Sequence, residues 1–227
     1  IDDDNYRKTF LDIKRKNKEN LSNQILHCCD LKVDPDSIFD VHVKRIHAYK
    51  RQLLNAFHIV DLYLRLKDNP DLDIPPRTFI IGGKAAPNYY FAKKVIKLIN
   101  QLAFRINNDK SIKGKIKVVF VENFNVSKGE LIYPACDISE QISTASKEAS
   151  GTGNMKFMMN GGITLGTLDG ANIEIKEQVG DENIFIFGLT SEEVLRYNKL
   201  GGYNVWEEYQ KNESLQRIIE YFNNHCF

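Results

Sequence analysis

Residues 116 to 121, IKVVFV, are apolar everywhere except Lys117, and a run of this length with no polar face reads as a strand buried on both sides. Such a strand requires helices on both faces of its sheet. The surrounding segments supply them. Ser37 to Ile46, SIFDVHVKRI, alternates apolar and polar residues like a half-buried strand, and from Tyr49 the run YKRQLLNAFHIVDLYLRLK has helical spacing through Leu53, Phe57, Val60 and Leu64. A polar break from Asp68 to Pro76 precedes a strand at TFII (Thr78 to Ile81), the pair Gly82 and Gly83, and a helix with Pro87 near its first turn that is expected to run to about Ala103. ITLGTL (Ile163 to Leu168) and IFIF (Ile184 to Phe187) read as further strands, and a helical segment containing Lys156 precedes the first. This alternation predicts a Rossmann-like, doubly wound, mostly parallel α/β sheet with its ligand at the carboxyl ends of the strands. The 227 residues are read as one domain, with an α/β core over 37–202 and charged helical flanks over 1–36 and 203–227 that pack against something outside the chain.

Composition sets broad limits. With 42% hydrophobic residues the chain can build a core, and 31 Lys+Arg against 30 Asp+Glu give a net charge of +1. That balance makes no global case for nucleic acid or an anionic membrane, so any anion site is local. The sequence has no run of about 18 apolar residues, its first 20 positions read as polar and charged rather than as a secretory signal, and the expected compartment is cytoplasmic. Cys28, Cys29, Cys136 and Cys226 lack paired spacing, which fits buried or incidental thiols in a reducing compartment. Five histidines show no metal-ligand spacing, and no metal is assigned. The start at Ile1, without methionine, points to a piece of a longer protein.

Of the chain's 14 glycines, Gly151, Gly153, Gly161, Gly162, Gly166 and Gly170 crowd one segment, KEASGTGNMKFMMNGGITLGTLDGAN. Glycines allow a backbone to approach a ligand, and free N–H groups at a helix start attract phosphate. If Ser150 to Gly153 open a helix, Lys156 lies about one turn further on the same face as Thr152 and Gly153, roughly 5 Å away. A phosphate at the helix mouth and an electrophilic carbon near the lysine amine suit a phosphorylated aldehyde, with pyridoxal phosphate the obvious candidate. The densest basic group, Lys44, Arg45, Lys50 and Arg51, lies at a strand-to-helix turn where α/β proteins bind anions. Glu148, beside Ser150 and Gly151, suits a polyhydroxylated ligand. Around Lys84 and Lys156 the nucleotide-loop pattern fails, and no G-x-G-x-x-G follows a strand. Gly82 and Gly83 are therefore read as permitting a tight turn, and Phe79, Phe120, Phe185 and Phe187 as core.

EASGTGNMKF followed by TLDGAN closely resembles the cofactor segment of the α-glucan phosphorylases. VKRIHAYKRQLLN, IGGKAAPNYY and DISEQISTASKEASGTGNMK match other stretches of that family in the same order, most strongly from Val41 to Phe187. The resemblance implies the carboxyl-terminal domain of a glycosyltransferase-B-type fold with pyridoxal phosphate on Lys156. It also implies that Thr152, Gly153 and Lys44 hold the cofactor phosphate and that Arg45 and Lys50 bind substrate phosphate. Glu148, Ser150 and Gly151 would meet the terminal glucosyl hydroxyls. The implied reaction phosphorolyses terminal α-1,4-glucosyl units with inorganic phosphate, retaining configuration and giving glucose 1-phosphate. Lys44, Arg45 and Lys50 are its candidate catalytic residues. Family members are several times longer and place the active site against an amino-terminal domain, so this chain alone is expected to be inactive, and the full-length protein to be a homodimer. Phe124 stands where many members have tyrosine. Two other readings stay open: a nucleotide-sugar glycosyltransferase without pyridoxal phosphate, and a noncatalytic binding or oligomerisation module.

Overall fold

A computed structural model describes residues 3–225. Its centre is a sheet of Ile38–Val43 (β1), Arg77–Gly83 (β2), Ile116–Glu122 (β3), Ile138–Gln141 (β4), Ile163–Gly166 (β5) and Phe185–Ile186 (β6). The order is β3-β2-β1-β4-β5-β6 and every pairing is parallel. Helices Asp4–Cys29 (α1), Gln52–Asp68 (α2), Tyr90–Asn108 (α3), Val126–Ala135 (α4), Gly153–Met159 (α5), Asn172–Val179 (α6), Ser191–Leu200 (α7), Val205–Lys211 (α8) and Glu213–Asn224 (α9) complete the fold. The chain reverses its direction of winding between β1 and β4, which makes the carboxyl ends of those two strands the switch point where such sheets bind ligands.

Strand periodicity explains the apolar run that contains β3. Ile116, Val118 and Phe120 join Phe79 and Ile81 of β2 against α2, α3 and α9, while Val119 and Val121 join Ile80 and Val41 against α1, α4 and α5. Phe39, Phe79, Ile80 and Ile81 are wholly buried, each contributing about 1.5–3 kcal/mol by leaving water. The described residues of both flanks carry helices that pack on this core. Leu21 and Ile25 of α1 enter one layer, and Ile218 and Tyr221 of α9 the other. Lys18 ties α1 to the sheet through the Asp137 carboxylate at 2.5 Å and the Ser37 carbonyl at 2.8 Å. The amino-terminal half of α1 leaves Tyr6, Leu11 and Ile13 exposed. Ile1, Asp2, Cys226 and Phe227 lie outside the described residues.

Several boundaries differ from the sequence reading, each for a local reason. Gly82 and Gly83 are the last residues of β2, not a tight turn, and a Cβ at Gly83 would lie 2.0 Å from the Lys44 carbonyl oxygen. Close passage of β1 past β2 demands this glycine. The basic segment is not continuous with its helix: Ala48–Lys50 form a 3-10 turn and Arg51, at φ 60°, breaks it from α2. The third helix begins after Pro87, at Tyr90, and continues to Asn108. ITLGTL pairs only through Gly166, and IFIF only over Phe185–Ile186. Phe79 and Phe120 are core, but Phe185 and Phe187 are 62% and 40% exposed because β6 is a two-residue edge. Cys28 and Cys29 are exposed rather than buried, while Cys136 is buried.

Nor is β1 half-buried. Its polar residues Asp40 and His42 are as sequestered as its apolar ones, and they are matched by Arg77, 3.2 Å from Asp40, and by Asn55, 3.3 Å from His42. Burial pushes the Asp40 carboxyl up to about 6 against the pull of Arg77, and burial followed by the Asp40 charge pushes its neighbour Glu140, on β4, well up. The folded protein thus retains protons that the unfolded chain releases from about pH 4 upward. Fewer protons in the unfolded state means that stability falls as pH rises from about 4 to 6, by an amount on the order of 1–3 kcal/mol. Urea-unfolding midpoints across this range should show the decline, and Glu140→Gln should flatten it; an equally steep decline in that variant would contradict the assignment.

Candidate active site

Two loops meet at the switch point. Residues 44–51 leave β1 and residues 142–152 leave β4, and the second runs into α5. They are knitted by main-chain and side-chain bonds: the Thr144 amide donates to the Tyr49 carbonyl at 2.7 Å, and Arg51 Nε to the Ile142 carbonyl at 2.6 Å. The left-handed Arg51 lets one residue both end the 3-10 turn and reach across. Gln52 holds the other side of the turn, donating to the Arg45 carbonyl at 3.0 Å and accepting from the His47 amide at 3.3 Å.

Charged groups converge on this seam. Lys50 Nζ lies 2.6 Å from Glu148 Oε2, which also accepts from Ser143 Oγ at 3.1 Å. Burial pushes the Glu148 carboxyl up, but the Lys50 hydrogen bond and the Lys44 charge outweigh it and hold the group below the usual range. Lys44, mostly withdrawn from solvent, is pushed down to about 8 by burial, with Glu148 opposing and Lys50 reinforcing the shift. A half-buried ammonium whose charge is weakened by desolvation gains from any anion placed against it. Lys44, Ser143, Glu148, Ser150 and Asp169 line one small pocket. Arg45 lines a neighbouring cavity with Gly83, Lys84 and Phe124.

Helix α5 opens at Thr152, whose side chain makes no cap hydrogen bond, and the Lys156 amide donates to the Thr152 carbonyl at 3.2 Å. Thr152 and Lys156 are exposed, and a Cβ at Gly153 would meet only Gln141 Nε2, at 4.0 Å. Gly151, at φ 88°, turns the chain into the helix. Lys156 lines neither cavity; its ammonium stands 5.6 Å from the centre of the Tyr133 ring. Tyr133 in turn packs edge-on to Phe157 at 4.7 Å and to Phe124 at 6.4 Å. The structure therefore joins Lys44, Lys50, Glu148 and Ser150 directly, and connects Lys156 to the Arg45 cavity through an aromatic row. An open helix mouth, room beside Gly153, a lysine amine with no ion pair among the described residues and the half-buried Lys44 at the same switch point fit a phosphorylated aldehyde.

Sequence reasoning missed the residues that shape the loop. The buried Asp169 carboxylate accepts from the amides of Ser146, Lys147 and Glu148 at 3.0, 3.2 and 2.9 Å. Asn172 donates to the Gln141 and Thr167 carbonyls, at 3.2 and 3.0 Å, and accepts from Asn154 at 3.0 Å. The available signal was the Asp169-Gly170 dipeptide, a turn marker. Gly170, at φ 55°, would place a Cβ 2.5 Å from the Ser150 carbonyl oxygen, so the turn and the site loop are in backbone contact.

Fold and site together define a doubly wound domain of the glycosyltransferase-B type with a cationic cleft at its switch point. The family model for carbohydrate phosphorylases matches residues 1–227, and the chain belongs to that family. It is 55% identical over 222 residues to a glycogen phosphorylase of Synechocystis sp., covering 98% of this chain and 26% of that protein. It is 55% identical over 218 residues to a glycogen phosphorylase of Bacillus subtilis, covering 96% and 27%. With the human liver-form glycogen phosphorylase it shares 48% over 227 residues, covering 100% and 27%. The chain thus spans about a quarter of the length of these relatives. Among the described residues no helix is long and apolar enough to cross a membrane.

Proposed function

We propose that residues 1–227 form the single cofactor-bearing, carboxyl-terminal domain of an α-glucan phosphorylase that releases glucose 1-phosphate from terminal α-1,4-glucosyl units using inorganic phosphate. The observation that carries this reading is the Lys50–Glu148 pair across the two switch-point loops, with Lys44 beside it and the start of α5 at the end of the second loop. Lys156 would hold pyridoxal phosphate, with Thr152, Gly153 and Lys44 placed to receive its phosphate, and the bound cofactor would supply a phosphate group able to support proton donation to the departing glycosidic oxygen.

The chain's own residues make this arrangement affordable electrostatically. Two phosphates side by side repel, and Lys44, Arg45 and Lys50 offset that repulsion in a partly dry cleft where each cation counts for more than in water. An incoming anion stabilises the protonated form of Lys44, so binding restores the charge that burial weakens. Glu148 holds Lys50 in place and offers its remaining lone pairs, with Ser150 and the Gly151 amide, to sugar hydroxyls. An amino-terminal domain of the same chain closes the cleft, so the isolated segment is inactive, and the full-length protein works in the cytoplasm as a homodimer.

Replacing Lys44 or Arg45 by alanine in the full-length enzyme is expected to raise the KM for phosphate and to lower kcat by about 10²–10³, the usual cost of losing one group that stabilises developing charge. Steady-state phosphorolysis with varied phosphate measures this. Unchanged phosphate kinetics in both variants would remove these residues from the site.

A further inference from the structure

The carboxyl end of α1 carries a feature that the glucan chemistry does not use. Cys28 and Cys29 are both exposed, with their Sγ atoms 3.0 Å apart, in the last turn before Asp30 takes the left-handed conformation at φ 48°. They border a groove of about 540 Å³ between α1, α3, α4 and the edge strand β3, whose apolar wall includes Ala103, Phe104, Val119, Val121 and Leu131.

Adjacent Cα atoms are about 3.8 Å apart across a trans peptide, short of the roughly 4.4–6.8 Å that disulfides span. A bond between these two sulfurs is therefore strained and readily reduced, and the pair rests as a dithiol. Partial desolvation, then the hydrogen bond with Cys28, pushes the Cys29 thiol up to about 12, so the resting pair keeps its protons and gives each one up only as a bond to sulfur forms.

We propose that Cys28 and Cys29 form a bidentate site for a trivalent aryl arsenical, with the aryl ring on the apolar wall of the groove. In the reaction an aryl-As(OH)₂ species gains two As–S bonds and loses two As–O bonds. Each thiol proton leaves with a hydroxide as water, and no atom changes oxidation state. The short sulfur separation suits a bent S–As–S unit, and ring closure makes the second bond intramolecular.

Phenylarsine oxide added to the reduced full-length protein should protect Cys28 and Cys29 from maleimide labelling, read peptide by peptide by mass spectrometry. Protection should survive excess monothiol and vanish with a dithiol. In Cys28→Ser and Cys29→Ser the remaining thiol should bind about 10²-fold more weakly or worse, the scale of a lost chelate, and should be stripped by monothiol. Absence of protection in the wild-type protein, or monothiol-resistant protection in either single variant, would overturn the proposal.

Discussion

Replacing Asp169 by alanine is expected to destabilise the protein by about 3 kcal/mol or more and to abolish most activity of the full-length enzyme, although the proposed chemistry does not need this carboxylate to touch substrate. It accepts from three consecutive amides, those of Ser146, Lys147 and Glu148, and lies 3.4 Å from Ser191 Oγ. Hydrogen bonds to a charged acceptor contribute about 1.5–3 kcal/mol each, and these three partly buried amides would lose their common partner at once. The three act together, so their sum is not additive, but the loss of even two exceeds an ordinary substitution. Without them the loop carrying Glu148 is no longer held against Lys50. Urea midpoints and kcat/KM for Asp169→Ala would check this, and Asp169→Asn should recover part of the loss because its carbonyl can still accept. Near-normal stability and activity in the alanine variant would show that the loop is held by other contacts.

Gly83→Ala should have a comparable effect through space alone. The backbone at Gly83 does not need a left-handed φ; the added Cβ would sit 2.0 Å from the Lys44 carbonyl oxygen and 2.9 Å from Ile46 Cδ1. The side chain of Ile46 can yield, but the main chain of Lys44 is fixed by the hydrogen bond from its amide to the Gly82 carbonyl at 3.0 Å. Relief requires β1 and β2 to separate where β1 delivers Lys44 and Arg45 to the cleft. Overpacking costs about 1–3 kcal/mol where side chains can adjust and more where the backbone must. The expected loss is therefore about 3 kcal/mol or more, seen as a lower thermal midpoint, together with weakened phosphate use. Gly82→Ala, whose nearest contacts would be 3.1 Å, should cost less. A Gly83→Ala protein as stable as the parent would refute the close-approach argument.

The parts of the fold legible in the sequence were those where burial leaves a chemical trace. The apolar run containing β3 announced a covered strand because both its faces are dry, and the helical spacing after Tyr49 announced α2. Strand β4 left no such trace. It is four residues long, and its Ser139, Glu140 and Gln141 are buried polar groups with no apolar run or alternation to mark a strand. The same effect disguised β1, where Asp40 and His42 imitate a solvent face while lying inside the protein beside Arg77 and Asn55. Within the site, Lys44, Glu148 and Ser150 could be singled out because charge and glycine mark a ligand cleft. Asp169-Gly170 marked only a turn, and the role of Asp169 and Asn172 stayed hidden because they serve backbone groups whose positions only the folded chain defines.

Anchoring of pyridoxal phosphate by Lys156, beside a second phosphate site, can be tested by borohydride reduction of the active full-length enzyme followed by peptide mapping. The expected result is one pyridoxyl group per chain, on Lys156. A fully active enzyme with no such adduct, or with the adduct on another lysine, would contradict it.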